Sequence, residues 1–220
     1  MLTRSEEDHI KAVHGLLQSS PNASTTDIAE RLGTKASSVT VMLKKLAEKG
    51  LIKHRPYHGV QLTAKGKVAA WKLVRKHRLW ETFLVARLGF RWDEVHEVAE
   101  QLEHVSSDKL TNGLDDYLGN PAFDPHGDPI PDRNGRVQQR DIKPLTDCTP
   151  GERVRIARVS HPSDSLLHLL DQKGIGIGMV FTVEMRQAFD GSVEMRGKPG
   201  SLSTLSAQVA GQLLVETVGS

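Results

Sequence analysis

Six residues between His77 and His104 belong to types that bind divalent metals, and their spacing groups them. His96, Glu100, Glu103 and His104 follow i, i+4, i+7, i+8 in VHEVAEQLEHV. At about 100° per residue this places them within roughly a 100° sector of one helix. Val98, Ala99, Leu102 and Val105 take the adjoining side, so imidazoles and carboxylates border an apolar stripe. His77 and Glu81 repeat the i, i+4 pairing on the preceding helix. A single His–Glu pair on a helix is usually a solvated charged face. Three imidazoles and three carboxylates on matching faces of two neighbouring helices are a donor set for a first-row divalent ion.

The elements that must hold these faces begin with a helix from about Glu6 to Gln18, with Ile10, Val13, Leu16 and Leu17 inward. Ser5 is its expected N-cap, and Ser5-x-x-Asp8 resembles a capping box. Spacing alone therefore makes Asp8 a capping residue. Next, STTDIAERLGTKASSVTVMLKKLAEKGLI reads as two short helices around Gly33, the helix-turn-helix pattern. Ser24 or Thr25 caps the first, and the second buries Val39, Met42, Leu43 and Leu46. Its outward start carries Lys35, Ser37, Ser38 and Thr40, short or basic side chains able to approach base edges and phosphates, with Lys44 and Lys45 one turn later. Leu51–Arg55 and Val60–Thr63 read as a hairpin turning at Pro56-Tyr57-His58-Gly59, a wing with basic Lys53, His54 and Arg55. A long helix capped by Thr63 then reaches toward Leu88 and stops at Gly89. Asp93 opens the His96–His104 helix, and Ser106 or Ser107 opens another to about Leu118.

Charge divides along the same lines. The formal net charge of the 220 residues is only +2. Yet Ser24–Arg78 holds thirteen Lys/Arg against Asp27, Glu30 and Glu48, while Glu81–Asp116 holds nine Asp/Glu against Arg87, Arg91 and Lys109. The first stretch suits a polyanion such as double-stranded DNA and the second suits cations. No apolar run approaches the roughly 20 residues of a membrane span, so no membrane partner is expected. The charged start MLTRSEEDHI lacks the apolar stretch of a secretory signal, and the single Cys148 fits a reducing, cytoplasmic setting.

From Gly119 to Pro144, GNPAFDPHGDPIPDRNG reads as a long connector in which His126 is a turn residue and not a ligand. Beyond about Leu145 the pattern turns β-like in VRIARVS, MVFTVEM, SVEM and QLLVETV, with one short helix over Asp164–Leu170. The glycines of Lys173–Gly178 do not have phosphate-loop spacing. A small β-barrel of roughly 70 residues is expected.

With IAERL…VTVMLKKLAEKGL, LTAKGK, KHRLWE, VHEVAEQLEHVSSD and PHGDPIP in view, the chain resembles the diphtheria toxin repressor and manganese transport regulator family of metal-dependent transcriptional repressors. The likeness runs over nearly the whole length. It implies a mainly α fold with small β parts: a winged helix-turn-helix domain over residues 1–76, a helical metal-binding and dimerisation domain over 77–140, and an SH3-like (FeoA-like) domain over 145–220. It implies a primary metal site of Asp8, Glu100, Glu103 and His104, which gives Asp8 a second role, and an ancillary site of His77, Glu81 and His96. In the SH3-like domain the place of a further ligand falls at Pro162, with Asp164 as a substitute or a helix cap. Acids at Asp8 and Glu100 resemble the manganese-responsive relatives, where iron-responsive ones carry Met and Cys. Lys11 stands where some short manganese regulators have an extra Glu, which implies separated sites and not a close metal pair.

The implied function is a homodimeric repressor that is loaded by Mn(II), with Fe(II) as a further activator, and binds palindromic operators of metal-uptake genes. No enzyme activity and no small organic substrate are expected. Two other classes fit parts of the pattern: a carboxylate/histidine metalloenzyme, and a winged-helix regulator sensing a non-metal ligand. Metal-dependent DNA binding separates the first reading from both.

Overall fold

A computed structural model of the chain describes residues 2–55, 59–197 and 201–219, with Arg55 described in its backbone alone. Pro56, Tyr57 and His58, the expected turn of the wing, lie outside the described residues. The chain packs as two compact units, one of Met1–His77, Glu100–Gly113 and Pro131–Arg136, the other of Arg78–Ala99, Leu114–Ile130 and Val137–Ser220.

The first unit is built on α1 (Arg4–Ser19), α2 (Thr25–Arg31) and α3 (Ala36–Glu48). The cap of α1 differs from the expected one. Thr3 is the N-cap, and its capping-box partner is Glu6, whose carboxylate accepts the Thr3 N–H at 2.9 Å. Thr3-x-x-Glu6 and Ser5-x-x-Asp8 are equivalent patterns, but Glu6 is buried and also takes the Lys49 ammonium at 2.6 Å. That second partner favours the earlier register and leaves Asp8 without a capping duty. Ser24 caps α2 in a box with Asp27. Strands β1 (Ile52–Arg55) and β2 (Gly59–Leu62) pair antiparallel from Ile52↔Leu62 to Arg55↔Gly59. Ile10, Val13, Ile28, Val39, Leu43, Leu46, Ile52 and Val60 form one core under these elements. Burial of each such side chain is worth about 1.5–3 kcal/mol.

Helix α4 (Ala64–Leu88) starts where the Thr63 hydroxyl accepts the Gly66 N–H at 3.0 Å. Gly66 is required there, because a Cβ would stand 1.9 Å from the Leu51 carbonyl oxygen. The helix stops at Gly89, whose φ of +74° is left-handed, and the Phe90 N–H returns to Leu84 O. Helices α5 (Val95–Leu102) and α6 (Asp108–Tyr117) follow. The expected single helix through His104 ends at Leu102, and Glu103 and His104 lie in the turn after it.

In the second unit, β3 (Lys143–Pro144), β4 (Arg153–Val159), β5 (Val180–Arg186), β6 (Val193–Arg196), β7 (Leu202–Leu205) and β8 (Leu213–Thr217) form one antiparallel sheet in the order β3-β8-β4-β5-β6-β7. The expected barrel is thus barrel-like without closure: among the described residues no ladder joins β3 to β7. Its core is Leu145, Ile156, Leu170, Phe181, Met195, Leu213 and their neighbours, with α7 (Asp164–Gln172) and α8 (Ala207–Gln212) packed on it, and Trp92 leans on the same core. Ile130, from the expected connector, packs with Leu79 and Leu114. Among the described residues no helix is long and apolar enough to cross a membrane.

Candidate metal centre

Glu103 is the centre of a charged cluster in the first unit, with its residue only 1% exposed. The turn that ends α5 points it inward and brings His104 beside it. His104 Nε2 lies 3.1 Å from Asp8 Oδ1 and 3.8 Å from Glu103 Oε1, while its Nδ1 is 2.7 Å from Glu7 Oε2. Asp8, Glu103 and His104 can each offer one atom to a common ion within 4.8 Å of one another. Glu103 Oε2 faces the other way, toward Lys11 Nζ at 2.6 Å and His77 Nδ1 at 2.5 Å. Burial pushes the Glu103 carboxyl up, but the His77 hydrogen bond and the Lys11 charge outweigh it and hold it below its ordinary value. Burial and the nearby Glu103 charge raise Asp8 instead, against the pull of His104 and Arg4. A half-buried carboxyl that lacks enough positive charge nearby, beside an imidazole and a second carboxylate, fits a hard divalent ion. Of the expected primary residues, Glu100 stands slightly apart: it meets Lys11 Nζ at 3.6 Å and is half exposed.

The second unit holds another cluster. Glu81, Asp124 and His126 are all buried and present donor atoms within 4.8 Å of one another. His96 Nδ1 adds a contact to Glu81 Oε1 at 3.3 Å. Asp124 is fixed by the backbone N–H groups of His126 and Asp128, both donating to its Oδ1 at 2.9 Å. His126 Nε2 donates to the Trp92 carbonyl at 2.7 Å, and its Nδ1 is directed at Glu81 Oε2, 3.8 Å away. An imidazole whose one N–H is tied to a backbone carbonyl presents the other nitrogen in ligand orientation. Burial and the charges of Glu81 and Asp128 raise Asp124. Burial opposes the charge on His126, yet the Glu81 hydrogen bond and the two carboxylates push it up to about 9. Both shifts have one cause: the buried carboxylates outnumber the cations that offset them, and protons make up part of the difference.

His126, expected to be no more than a turn residue, is therefore a buried member of a metal-competent group, and Asp124 was not singled out at all. The available signal was three chemistry-bearing residues in the five of Asp124–Asp128, inside a Pro/Gly loop. His77 sits one helical turn before Glu81 on α4, as its spacing required, and in the first unit its Nδ1 lies 2.5 Å from Glu103 Oε2. Asp164 is exposed in the first turn of α7, where Ser163 supplies the cap, and it joins none of the metal-competent groups among the described residues.

On the nucleic-acid side, Ser37, Ser38, Thr40, Lys44 and Lys45 are exposed on α3, Lys35 is exposed as its N-cap residue, and Lys53 is exposed on β1. The Thr40 hydroxyl donates to Ala36 O at 2.9 Å, so it retains acceptor capacity only. Val41, overlooked in the sequence, is 57% exposed on this helix, an apolar surface that suits a thymine methyl.

A winged helix whose first helix reaches a carboxylate–imidazole centre, followed by helices and an SH3-like sheet, defines the class to which this chain belongs. Comparison with known proteins makes the family specific. Residues 1–60 match the iron dependent repressor N-terminal DNA binding domain, residues 63–132 its metal binding and dimerisation domain, and residues 143–217 the FeoA domain. The diphtheria toxin repressor of Corynebacterium efficiens is 30% identical over 161 residues, covering 69% of this chain and 70% of that one. The iron-dependent repressor IdeR of Mycobacterium leprae is 33% identical over 130 residues, 59% of this chain; the chain spans 56% of that relative's length. A solved manganese-dependent transcriptional repressor in complex with manganese superposes with a TM-score of 0.86 at 38% identity, covering 97% of this chain and all of that one. The chain belongs to the iron-dependent repressor family.

Proposed function

We propose that the chain is a metal-activated, homodimeric transcriptional repressor that works in the cytoplasm. It binds operator DNA when Asp8, Glu100, Glu103 and His104 hold Mn(II), with Fe(II) as a second activator. The observation that carries this reading is the approach of Asp8, on the first helix of the winged-helix unit, to His104 at 3.1 Å beside buried Glu103. A bound divalent ion supplies positive charge and directional bonds to oxygen and imidazole nitrogen. The chain's own residues do the rest. Asp8 is on α1, and Ile10 and Val13 of α1 share a core with Val39, Leu43 and Leu46 of the recognition helix α3. Fixing Asp8 against the Glu103–His104 turn therefore restrains the helix on which α3 packs. To raise DNA affinity about 100-fold, ion binding must favour the DNA-competent arrangement by about 2.7 kcal/mol. The deciding experiment is binding to promoter DNA that Mn(II) restores and a chelator removes; binding indifferent to both rejects this reading in favour of a regulator of another ligand.

For a second site we favour Glu81 with His96, and with Asp124 and His126 as added donors; His77 is retained as the helical neighbour of Glu81. Here pH gives a signed prediction. Below about 9 His126 holds a proton, and raised Asp124 competes for one too, so an entering ion must displace them. Mn(II) affinity at this site should rise with pH across neutrality, by up to about tenfold per unit for each proton displaced. Metal titrations of Glu103→Gln at several pH values test it, and a flat profile contradicts it.

On the DNA side, if Lys44 or Lys45 touches phosphate, replacing it with Ala should lower the log–log salt slope by about one unit. Ser38→Ala and Val41→Ala should change sequence preference more than slope. A slope near zero for the intact protein would remove the DNA reading altogether.

A further inference from the structure

The first unit holds a cavity of about 480 Å³ between the start of α1, the middle of α4 and the start of α6. Trp71, Leu73 and Val105 give it an apolar wall, while Lys72, Arg75, Lys76 and Arg133 bring cations to it against the acids Glu7 and Asp108. Arg75 and Arg133 have partners of their own, and the Glu7 carboxylate is taken up by His104 Nδ1 at 2.7 Å. The charge left to a ligand is therefore that of Lys72 and Lys76 against Asp108. Lys76 is half-buried, and Glu7, Glu103 and Asp108 act on it through space without a hydrogen bond. An ammonium held out of water with no hydrogen-bonding partner costs free energy that an anion would recover. Helix α6 points the same way. Ser107 and Asp108 at its N-terminus stand in the cavity wall, and the first turn of a ten-residue helix attracts negative charge.

We propose that this cavity binds a small organic phosphate, and that the bound anion favours the ion-loaded state of the neighbouring Asp8–Glu103–His104 centre. Size and wall select the class. A volume of about 480 Å³ exceeds what one inorganic oxyanion fills and lies in the range of small-molecule sites. The Trp71 indole can cover the organic part, and Lys72, Lys76 and the α6 N-terminus can hold the phosphate oxygens by charge-assisted hydrogen bonds. The effect on Mn(II), unlike the anion site itself, rests on the reading of Asp8, Glu103 and His104 as a metal site. Lys76 lies close enough to Glu7 and Glu103 for their charges to act on it, so it also repels an ion held beside them. A phosphate seated on Lys76 offsets that repulsion. Glu7 is the physical link, since it stands in the cavity wall and holds His104. The coupling is reciprocal, so Mn(II) must tighten phosphate binding by the same factor.

The test uses the full chain with phenyl phosphate as the probe, first without metal. Isothermal titration should show one site per protomer, and quenching of tryptophan fluorescence should follow the same curve and be lost in Trp71→Phe. Lys76→Gln should weaken binding about tenfold, the loss of one charge-assisted hydrogen bond. Lys72→Gln, at an exposed position that does not threaten the fold, should weaken it in the same direction. Lys67→Gln removes the same charge from α4 outside the cavity and should leave the affinity unchanged. With free Mn(II) buffered, saturating phenyl phosphate should then raise Mn(II) affinity about fivefold. No binding by the parent, or equal binding by the Lys67, Lys72 and Lys76 variants, overturns the proposal. So does a lowered salt slope for operator DNA in the Lys72 and Lys76 variants with no phenyl phosphate binding, since those cations would then serve the duplex backbone. Binding that leaves Mn(II) affinity unchanged overturns the effector half of the proposal. A parent that binds phenyl phosphate but no Mn(II) shows instead that the metal-site reading is what fails.

Discussion

His104→Ala should remove one Mn(II) per protomer and reduce metal-activated DNA affinity by about 100-fold, equivalent to about 2.7 kcal/mol. The imidazole lies between Asp8 and Glu7 of α1 and beside Glu103, so it is the group through which the α5–α6 turn meets the first helix. It stands outside any helix, so its loss should leave the packing of α5 and α6 intact. Glu103→Ala is a poorer experiment despite the residue's central place. It would leave Lys11 and His77 facing a buried space without their shared carboxylate, and breaking a buried pair this way costs about 3–5 kcal/mol of stability. Loss of metal binding would then be confused with loss of fold. Glu103→Gln keeps the shape and removes the charge, and it should match His104→Ala in metal binding while melting at a lower temperature. Isothermal titration, operator anisotropy and thermal melting on both variants decide the matter. Retention of the parent's ion count by both would show that the ion, if bound, sits elsewhere.

The parts of this molecule that were legible in its sequence are those with local causes. Gly33, Gly50 and Gly89 end helices whose apolar residues repeat at helical period, and Ser24 and Thr63 open α2 and α4. The His77–Glu81 spacing needed nothing beyond an unbroken α4. Asp8 came to Glu103 and His104 through the family resemblance alone, since its spacing reads as a cap. Spacing does place Glu103 and His104 on one helix with His96, whereas α5 ends at Leu102 and the turn after it aims both side chains. Two capping patterns overlapped at the start of α1, and only the distant Lys49, forty-three residues on, selects Glu6. No local pattern could have reported that choice.

Asp124 and His126 show the same limit more strongly. Their segment has no periodicity, since its backbone is held by side-chain acceptors and turns: Asp124 takes two N–H groups, and Gly127 N–H returns to Asp124 O. Proline, glycine and aspartate in such density read as an exposed connector, yet burial is decided by Trp92, stacked on the His126 ring, and by the sheet core beneath it. The open edge of the sheet was likewise invisible, because closure depends on whether β3 and β7 meet and not on any residue within them.

Which metal is read should depend on Asp8 and Glu100 together. Both are hard oxygen donors, and neither a thiolate nor a thioether is present among Asp8, Glu100, Glu103 and His104. Carboxylate and imidazole suit Mn(II), whereas sulfur donors favour ions later in the series. Intrinsic affinity still ranks Fe(II) above Mn(II) at any common set of ligands. Preference for Mn(II) must therefore come from how each ion, once bound, holds Asp8 against His104 and the turn. The two positions also differ in surroundings. Asp8 stands at 3.1 Å from His104, while Glu100 is half exposed with Lys11 3.6 Å away, so a sulfur atom can be placed at either without filling the apolar core. The double substitution Asp8→Met with Glu100→Cys should accordingly weaken Mn(II)-activated DNA binding more than Fe(II)-activated binding, by a further factor of about ten, or about 1.4 kcal/mol. Anaerobic anisotropy on a single operator at buffered free metal measures both ions in one format. Equal losses for the two ions, or no loss for either, would mean that these positions do not set the preference, and selectivity would then have to be sought at the Glu81 cluster.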